Sequence, residues 1–114
     1  MWYLMANEGW CMSGYHAASV LSDVATKVGF ADMPAMLRAM ATTASSPWIE
    51  GLKDYMRLGY VPYDHCGTSA SNTLEYAYDD WAIYHAAQLA GDTQMADSFR
   101  LRALHYRNVF HPEL

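Results

Sequence analysis

Little of this sequence is charged, and less of it is basic. Charged residues make up 17% of the chain, with 7 Lys and Arg against 12 Asp and Glu and a formal net charge of −5. So few cations offer no basic stripe for a phosphate backbone, and nucleic-acid binding is not expected. No apolar run approaches the roughly 20 residues of a membrane-spanning helix, so no membrane partner is expected either. Residues 1–6 are apolar but lack a basic n-region and run straight into Asn7-Glu8, which does not read as a secretion signal. Cys11 and Cys66 are too few for a disulfide framework, and neither belongs to a Cys-x-x-Cys pair. Both are read as unpaired, and a zinc ribbon has no support. Alternating apolar and polar residues are also missing, so no strand of any weight is predicted.

What remains is helical. The 114 residues, 53% hydrophobic and 14% aromatic, exclude a disordered chain and suffice for one domain. After an irregular lead-in over residues 1–10, bracketed by Trp2 and Trp10, the spacing of Tyr15, Ala18, Leu21, Ala25 and Val28 predicts a helix stopped by Gly29. Asp32 and Pro34 open a second helix, with Met33, Met36, Leu37 and Met40 on its apolar face, which fades over residues 42–46. Ser46-Pro47 restarts a short helix whose buried side is expected to be Trp48, Leu52, Tyr55 and Met56, ending at Gly59. Residues 59–70 form a loop. A fourth helix spans about 72–90, with Asn72 and Glu75 approximating a capping box, and Gly91 closes it. Asp92 caps a last helix that runs to about Val109. The expectation is an all-α chain of about five helices in antiparallel hairpins. Tyr15-His16-Ala17-Ala18 echoes Tyr84-His85-Ala86-Ala87, a weak sign of internal repetition.

The fourth helix carries the strongest hint of chemistry. Leu74, Tyr78, Trp81, His85 and Leu89 share one face, Glu75 and Asp79 another, and Asp80 lies one position round. Like charges at i,i+4 destabilise a helix by roughly 0.2–0.5 kcal/mol per pair. Solvent, a basic neighbour, a cation or a polar ligand must compensate. Paired carboxylates serve glycoside hydrolysis. The plain alternatives are a solvated acidic stripe or neutralisation by an Arg from the next helix. A catalytic pair usually comes from different elements, so one helix is not given both roles. His16 follows Gly14, which allows close approach of backbone or ligand, although a helical His is commonly a hydrogen-bonded core residue. Asp64-His65-Cys66 holds metal-capable side chains, but consecutive residues rarely converge on one ion. The abundant Trp, Tyr and Met residues are read first as core.

Three segments together carry a resemblance. Gly59-Tyr60-Val61-Pro62, then Ser71, then Leu74-Glu75-Tyr76-Ala77-Tyr78-Asp79-Asp80-Trp81-Ala82-Ile83 form the most specific. Cys11-Met12-Ser13-Gly14-Tyr15-His16, with Asp23 and Lys27 beyond, and Tyr106-Arg107-Asn108-Val109-Phe110-His111-Pro112-Glu113 complete it. This pattern resembles the calcium-dependent alpha-mannosidases of glycoside hydrolase family 92, departing at His111, where the family has Asp, and at Val28. The resemblance implies a segment of a C-terminal (α/α)6 barrel, with five helices of a ring of twelve. It implies inverting hydrolysis of terminal alpha-linked mannose by the complete enzyme, a mannose-containing glycan as partner, and calcium as cofactor there. The family's general acid, its base aspartates and its calcium ligands lie downstream in the family pattern. This chain is therefore expected to hold no catalytic residue, no metal ligand and no calcium of its own, and to be inactive alone. His16, Glu75, Asp79 and Asp80 match family positions and are expected to line or brace the sugar cleft. Family members are typically secreted, periplasmic or on the cell surface. Apolar faces meant for other helices are expected to promote self-association. The other readings are an independent helical module that binds peptide or protein, and a small metal protein built on Asp64, His65 and the acidic helix.

Overall fold

The computed structural model describes residues 3–4, 7–8, 12–110 and 113. The predicted environments of Trp2, Trp10 and Cys11 lie outside the described residues. A two-residue antiparallel ladder pairs Tyr3–Leu4 (β1) with Asn7–Glu8 (β2). The rest is helical: α1 (Ala17–Val28), α2 (Met33–Thr43), α3 (Leu52–Leu58), α4 (Ser69–Ala90) and α5 (Thr93–Ala103), continued by a 3-10 segment, Leu104–Val109. Asp32 and Asp92 cap α2 and α5 as expected, accepting the N–H groups of Ala35 and Met95. A two-residue connection, Gly91-Asp92, folds α5 back along α4, and α1 packs on the other flank of α4. The molecule measures 42 × 41 × 21 Å. A helix with its side chains is about 10–12 Å across, so the shortest dimension is two helices deep. The all-α class and the hairpin stacking expected of an (α/α) wall are therefore both observed.

Helix α4 is the centre of the slab, and its buried side is polar. Asn72, Thr73, Asp79 and Asp80 are buried alongside Tyr76, Ala77, Ile83, Ala86 and Ala87. An unpaired buried carboxylate is strongly unfavourable, so each must find partners. Asp80 accepts from the Tyr15 hydroxyl at 2.6 Å, the Tyr55 hydroxyl at 2.9 Å and Arg102 Nε at 2.9 Å. Arg102 Nη2 also donates to the Ala44 carbonyl at 2.9 Å, and its guanidinium lies over the Phe99 and Tyr55 rings. One carboxylate thereby joins the start of α1, the end of α2, α3, α4 and α5. Tyr76 donates to the Glu50 carbonyl and stacks against Tyr15, with Tyr55 edge-on to it. Leu52, Met36, Leu37, Met40 and Ala44 close the apolar core around these rings.

The structure corrects several boundaries. The helix expected from Ser46-Pro47 begins instead at Leu52. Gly51 adopts φ 72°, a left-handed conformation that interrupts any helix begun at Pro47, and a Cβ there would sit 2.6 Å from Val61 Cγ1. Trp48 is consequently 80% exposed rather than buried, and Met56 is exposed as well. Helix α4 starts at Ser69, so Asn72 lies inside it and is not a cap. The Tyr-His-Ala-Ala echo carries no structural repeat: His16 precedes α1, while His85 is exposed near the C-terminal end of α4 against Trp81.

Burial pushes the Asp80 carboxyl from its ordinary 3.8 up to about 6, against the opposing pull of Arg102 and the tyrosine hydroxyls. A raised carboxyl makes the folded chain hold more protons than the unfolded one between those two values. Its contribution is full below the lower value and is lost as pH rises through the upper one. Asp79, also raised by burial, acts in the same sense. Urea melts at pH 4.5, 5.5 and 7.0 should therefore give a midpoint that falls with pH, with a weaker slope in Asp80→Asn. Removing the cation with Arg102→Met should cost about 3–5 kcal/mol at pH 7, as expected when one partner of a buried pair is lost.

Candidate functional site

The second carboxylate of α4 is turned to a different task. Gly14 adopts φ 95°, and a Cβ on it would lie 2.6 Å from His16 Cε1, 2.7 Å from Nε2 and 2.9 Å from Asp79 Oδ2. The missing side chain lets the chain fold tightly over Asp79 before α1 begins. The Tyr15 N–H donates to Asp79 Oδ2 at 2.5 Å, and His16 Nδ1 lies 2.8 Å from Asp79 Oδ1. Asp79 is fully buried, and desolvation raises its carboxyl against the stabilising N–H of Tyr15 and the imidazole of His16. Ionised Asp79 favours the His16 tautomer with the proton on Nδ1, which turns Nε2 outward toward Glu75. Nε2 stands 3.5 Å from Glu75 Oε2, and both side chains are 42% exposed. The Tyr78 ring is tilted against His16 with centroids 6.1 Å apart. A buried acid thus aims an imidazole that shares its outer edge with a second, accessible acid. This arrangement can accept and donate hydrogen bonds to adjacent hydroxyls.

Of the four residues singled out in the sequence, His16, Glu75 and Asp79 converge. Asp80 does not: it turns into the Arg102 cluster, where it braces α4. The solvated-stripe alternative fails for both aspartates, and neutralisation by an Arg of the next helix holds for Asp80. Asp64, His65 and Cys66 diverge. His65 Nδ1 pairs with Asp54 at 2.8 Å, which raises the imidazole and lowers the carboxyl, whereas the free Cys66 thiol is buried beside Asn72 and Thr68. Calcium takes six to eight oxygen ligands. Among the described residues the Asp79 and Asp80 oxygens are all engaged by protein donors, and no group of three acidic, His or Cys side chains is placed to hold a metal ion.

Sequence spacing missed two parts of the site. Asn72, buried in the first turns of α4, accepts from Ser13 Oγ at 2.6 Å and donates to Cys66 Sγ at 3.1 Å, tying the Gly14 turn to the loop before α4. The sequence offered no signal for it, because Asn72 read there as a helix cap. Beside it opens a cavity of about 1480 Å³ between the 12–17 turn, the end of α2 with the following segment through Glu50, and the start of α4; His16 forms part of its wall. Gly14→Ala should expel the His16 ring from Asp79, at a cost of about 1–3 kcal/mol for the strained backbone. The readouts are a urea melt and the imidazole nitrogen shifts of His16, which should move to free-histidine values. Unchanged shifts would contradict this account of Gly14.

Comparison with known proteins places this geometry. The glycosyl hydrolase family 92 catalytic domain pattern matches residues 1–114. The family GH92 alpha-mannosidase BT3965 from Bacteroides thetaiotaomicron superposes with a TM-score of 0.90 at 44% identity, covering 99% of this chain and 15% of that one. Its structure in complex with mannoimidazole matches equally well, with the same identity and coverage. The family GH92 inverting mannosidase BT2199 from the same species gives a TM-score of 0.84 at 35% identity, over 96% of this chain and 16% of that one. No curated protein matches the sequence. The chain spans about 15% of the length of the alpha-mannosidase it is 44% identical to, and over that span it belongs to glycosyl hydrolase family 92.

Proposed function

We propose that this chain forms one wall of the catalytic domain of an exo-acting alpha-mannosidase, an enzyme that hydrolyses terminal alpha-linked mannose with inversion. The observation that carries this reading is the match of nearly the whole chain to alpha-mannosidases of the family, one of them described as inverting and one solved with mannoimidazole. The local geometry agrees with it. His16, aimed by Asp79 and flanked by Glu75, offers a mixed donor and acceptor edge suited to sugar hydroxyls. Asp80 supports that edge from behind. In this reading Glu75 and His16 touch the glycan, and Asp79 is a positioning residue.

Inverting hydrolysis needs two carboxyl groups roughly 6.5–9.5 Å apart, one protonating the leaving oxygen and one activating water. Asp79 and Asp80 are fully buried and bound on both oxygens, so neither can address a water beside the sugar. Glu75 is left as the accessible acid of the His16 cluster. The acid and base pair, and any calcium that helps to bind the sugar, belong in this reading to polypeptide outside these residues. The stripe Leu74, Tyr78, Trp81 and Leu89 on α4 and the ridge Val20, Val24 and Val28 on α1 are all exposed. In isolation such surface favours self-association.

The isolated chain should release no mannose from an alpha-mannoside with or without calcium, and robust turnover by it alone would overturn the proposal. In a full-length polypeptide carrying this segment, His16→Ala and Glu75→Gln should each lower kcat/KM on an alpha-mannoside by roughly 10- to 100-fold, about 1.4–2.7 kcal/mol. Wild-type values for both variants would remove these residues from the glycan contact. Sedimentation of the isolated chain should show concentration-dependent association, and Trp81→Glu should reduce it.

A further inference from the structure

Three residues of α4 meet the turn before α1, and they lie along one side of the helix. Asn72 and Asp79 are two helical turns apart, about 10.5 Å along the axis, and Glu75 falls between them. Ser13 Oγ donates to Asn72 Oδ1 at 2.6 Å, and His16 Nε2 stands 3.5 Å from Glu75 Oε2. Asp79 takes the Tyr15 N–H at 2.5 Å and His16 Nδ1 at 2.8 Å. The turn is thus held at two points, with Gly14 at φ 95° between them. Asp79 alone leaves it a pivot. Nε2 would then swing through an arc about Asp79, and a small swing would end a contact that is already long for a hydrogen bond. The hold at Asn72 removes that freedom.

Asn72 is built for this task. It is 2% exposed, its Nδ2 donates to Cys66 Sγ at 3.1 Å, and its Oδ1 also accepts from Thr68 Oγ1 at 3.4 Å. A side-chain amide bound at both ends in the interior keeps one orientation. Asn is a poor residue for a helix interior, since its amide competes with the backbone for hydrogen bonds. An apolar side chain would pack there without that penalty, but it would leave the Ser13 hydroxyl with nothing to hold. We propose that Asn72 is a positioning residue for the His16–Glu75 edge, setting through Ser13 the distance between the imidazole Nε2 and the Glu75 carboxylate. What that edge does rests on the mannosidase reading; how the ring is held does not.

Imidazole nitrogen NMR on the 114-residue chain reads the contact directly. With the native Ser13 and Asn72, Glu75→Gln should move the His16 Nε2 resonance. In Ser13→Ala and in Asn72→Leu the same change at Glu75 should leave the resonance where it is. Ser13→Thr keeps the hydroxyl and should restore the response. Circular dichroism controls the fold of each variant. Ser13→Ala leaves Asn72 on Cys66, so it decides the matter even where Asn72→Leu fails to fold. In a full-length polypeptide carrying this segment, Ser13→Ala and Asn72→Leu should each lower kcat/KM on an alpha-mannoside by roughly 10-fold, as a small displacement of an oriented group does. Neither should lower it further in a His16→Ala background, whereas damage to the fold alone would add to the loss. An Nε2 response that survives Ser13→Ala would overturn the proposal, as would fully additive losses of turnover. A lost response with unchanged turnover would uphold the hold on the ring and contradict the mannosidase reading of the edge. The two can therefore fail separately.

Discussion

The contact between Asp80 and Arg102 holds the five helices in one arrangement. Each helix or its flanking turn contributes to it: Tyr15 before α1, Ala44 after α2, Tyr55 in α3, Asp80 in α4 and Arg102 in α5. The Tyr55 hydroxyl lies 2.9 Å from both Asp80 Oδ2 and the Arg102 carbonyl, and its single proton serves one of them at a time. A carboxyl pushed up to about 6 can supply the second proton, so the cluster satisfies its acceptors in either protonation state. Such a pair adds less to stability than an apolar core of the same volume. Its directionality matters more. Leucines would tolerate a slide of α5 along α4, whereas a guanidinium reaching two acceptors on different helices does not. Register in this wall is set by hydrogen bonds, and the Gly14 turn inherits that register through Tyr15.

The arrangement explains which parts of the fold were legible in the sequence. Five helices and their stops at Gly29, Gly59 and Gly91 followed from apolar spacing and backbone chemistry, because those signals are local. The faces of α4 did not follow. The apolar stripe Leu74, Tyr78, Trp81 and Leu89 points outward, and the aspartates point in, an inversion of ordinary amphipathic patterning. Periodicity identifies a face but not what covers it, and here Asp80 is paired with Arg102 22 positions away and hydrogen-bonded by Tyr15 65 positions away. Gly51 was the other hidden determinant. Its left-handed conformation, set by packing against Val61, overrode the Ser-Pro start signal five residues earlier and put Trp48 on the surface.

Part of the site was legible for a different reason. Glu75, Asp79 and Asp80 were noticed by helical spacing and His16 by the glycine before it, and the family resemblance made all four site candidates. No spacing argument brings His16 to Asp79 across 63 residues, because that contact depends on Gly14 having no side chain. The separation of Asp79 from Asp80 is likewise a matter of geometry. Successive helical residues are turned by about 100°, so adjacent aspartates at the middle of a buried helix must serve different neighbours. Read as a string they look like one acidic feature. In space one is the root of the His16 edge and the other the centre of the helical wall.

That separation bears on how two fully buried carboxylates can serve chemistry at all. A carboxylate bound on both oxygens and sealed from solvent exchanges protons with its partners and cannot reach a water beside a substrate. What it can do is fix a neighbour. Asp79 fixes the orientation of an imidazole, and through it the position of an exposed edge; Asp80 fixes the helix on which that edge is mounted. Rigidity of this kind is what an oriented polar site requires, since a hydrogen-bonding edge displaced by an ångström loses much of its effect on a reacting sugar. The acidic run of α4 is therefore best understood as anchorage. Reacting groups placed opposite this wall would need the reverse environment, with open access to water, and so could not come from the same two aspartates.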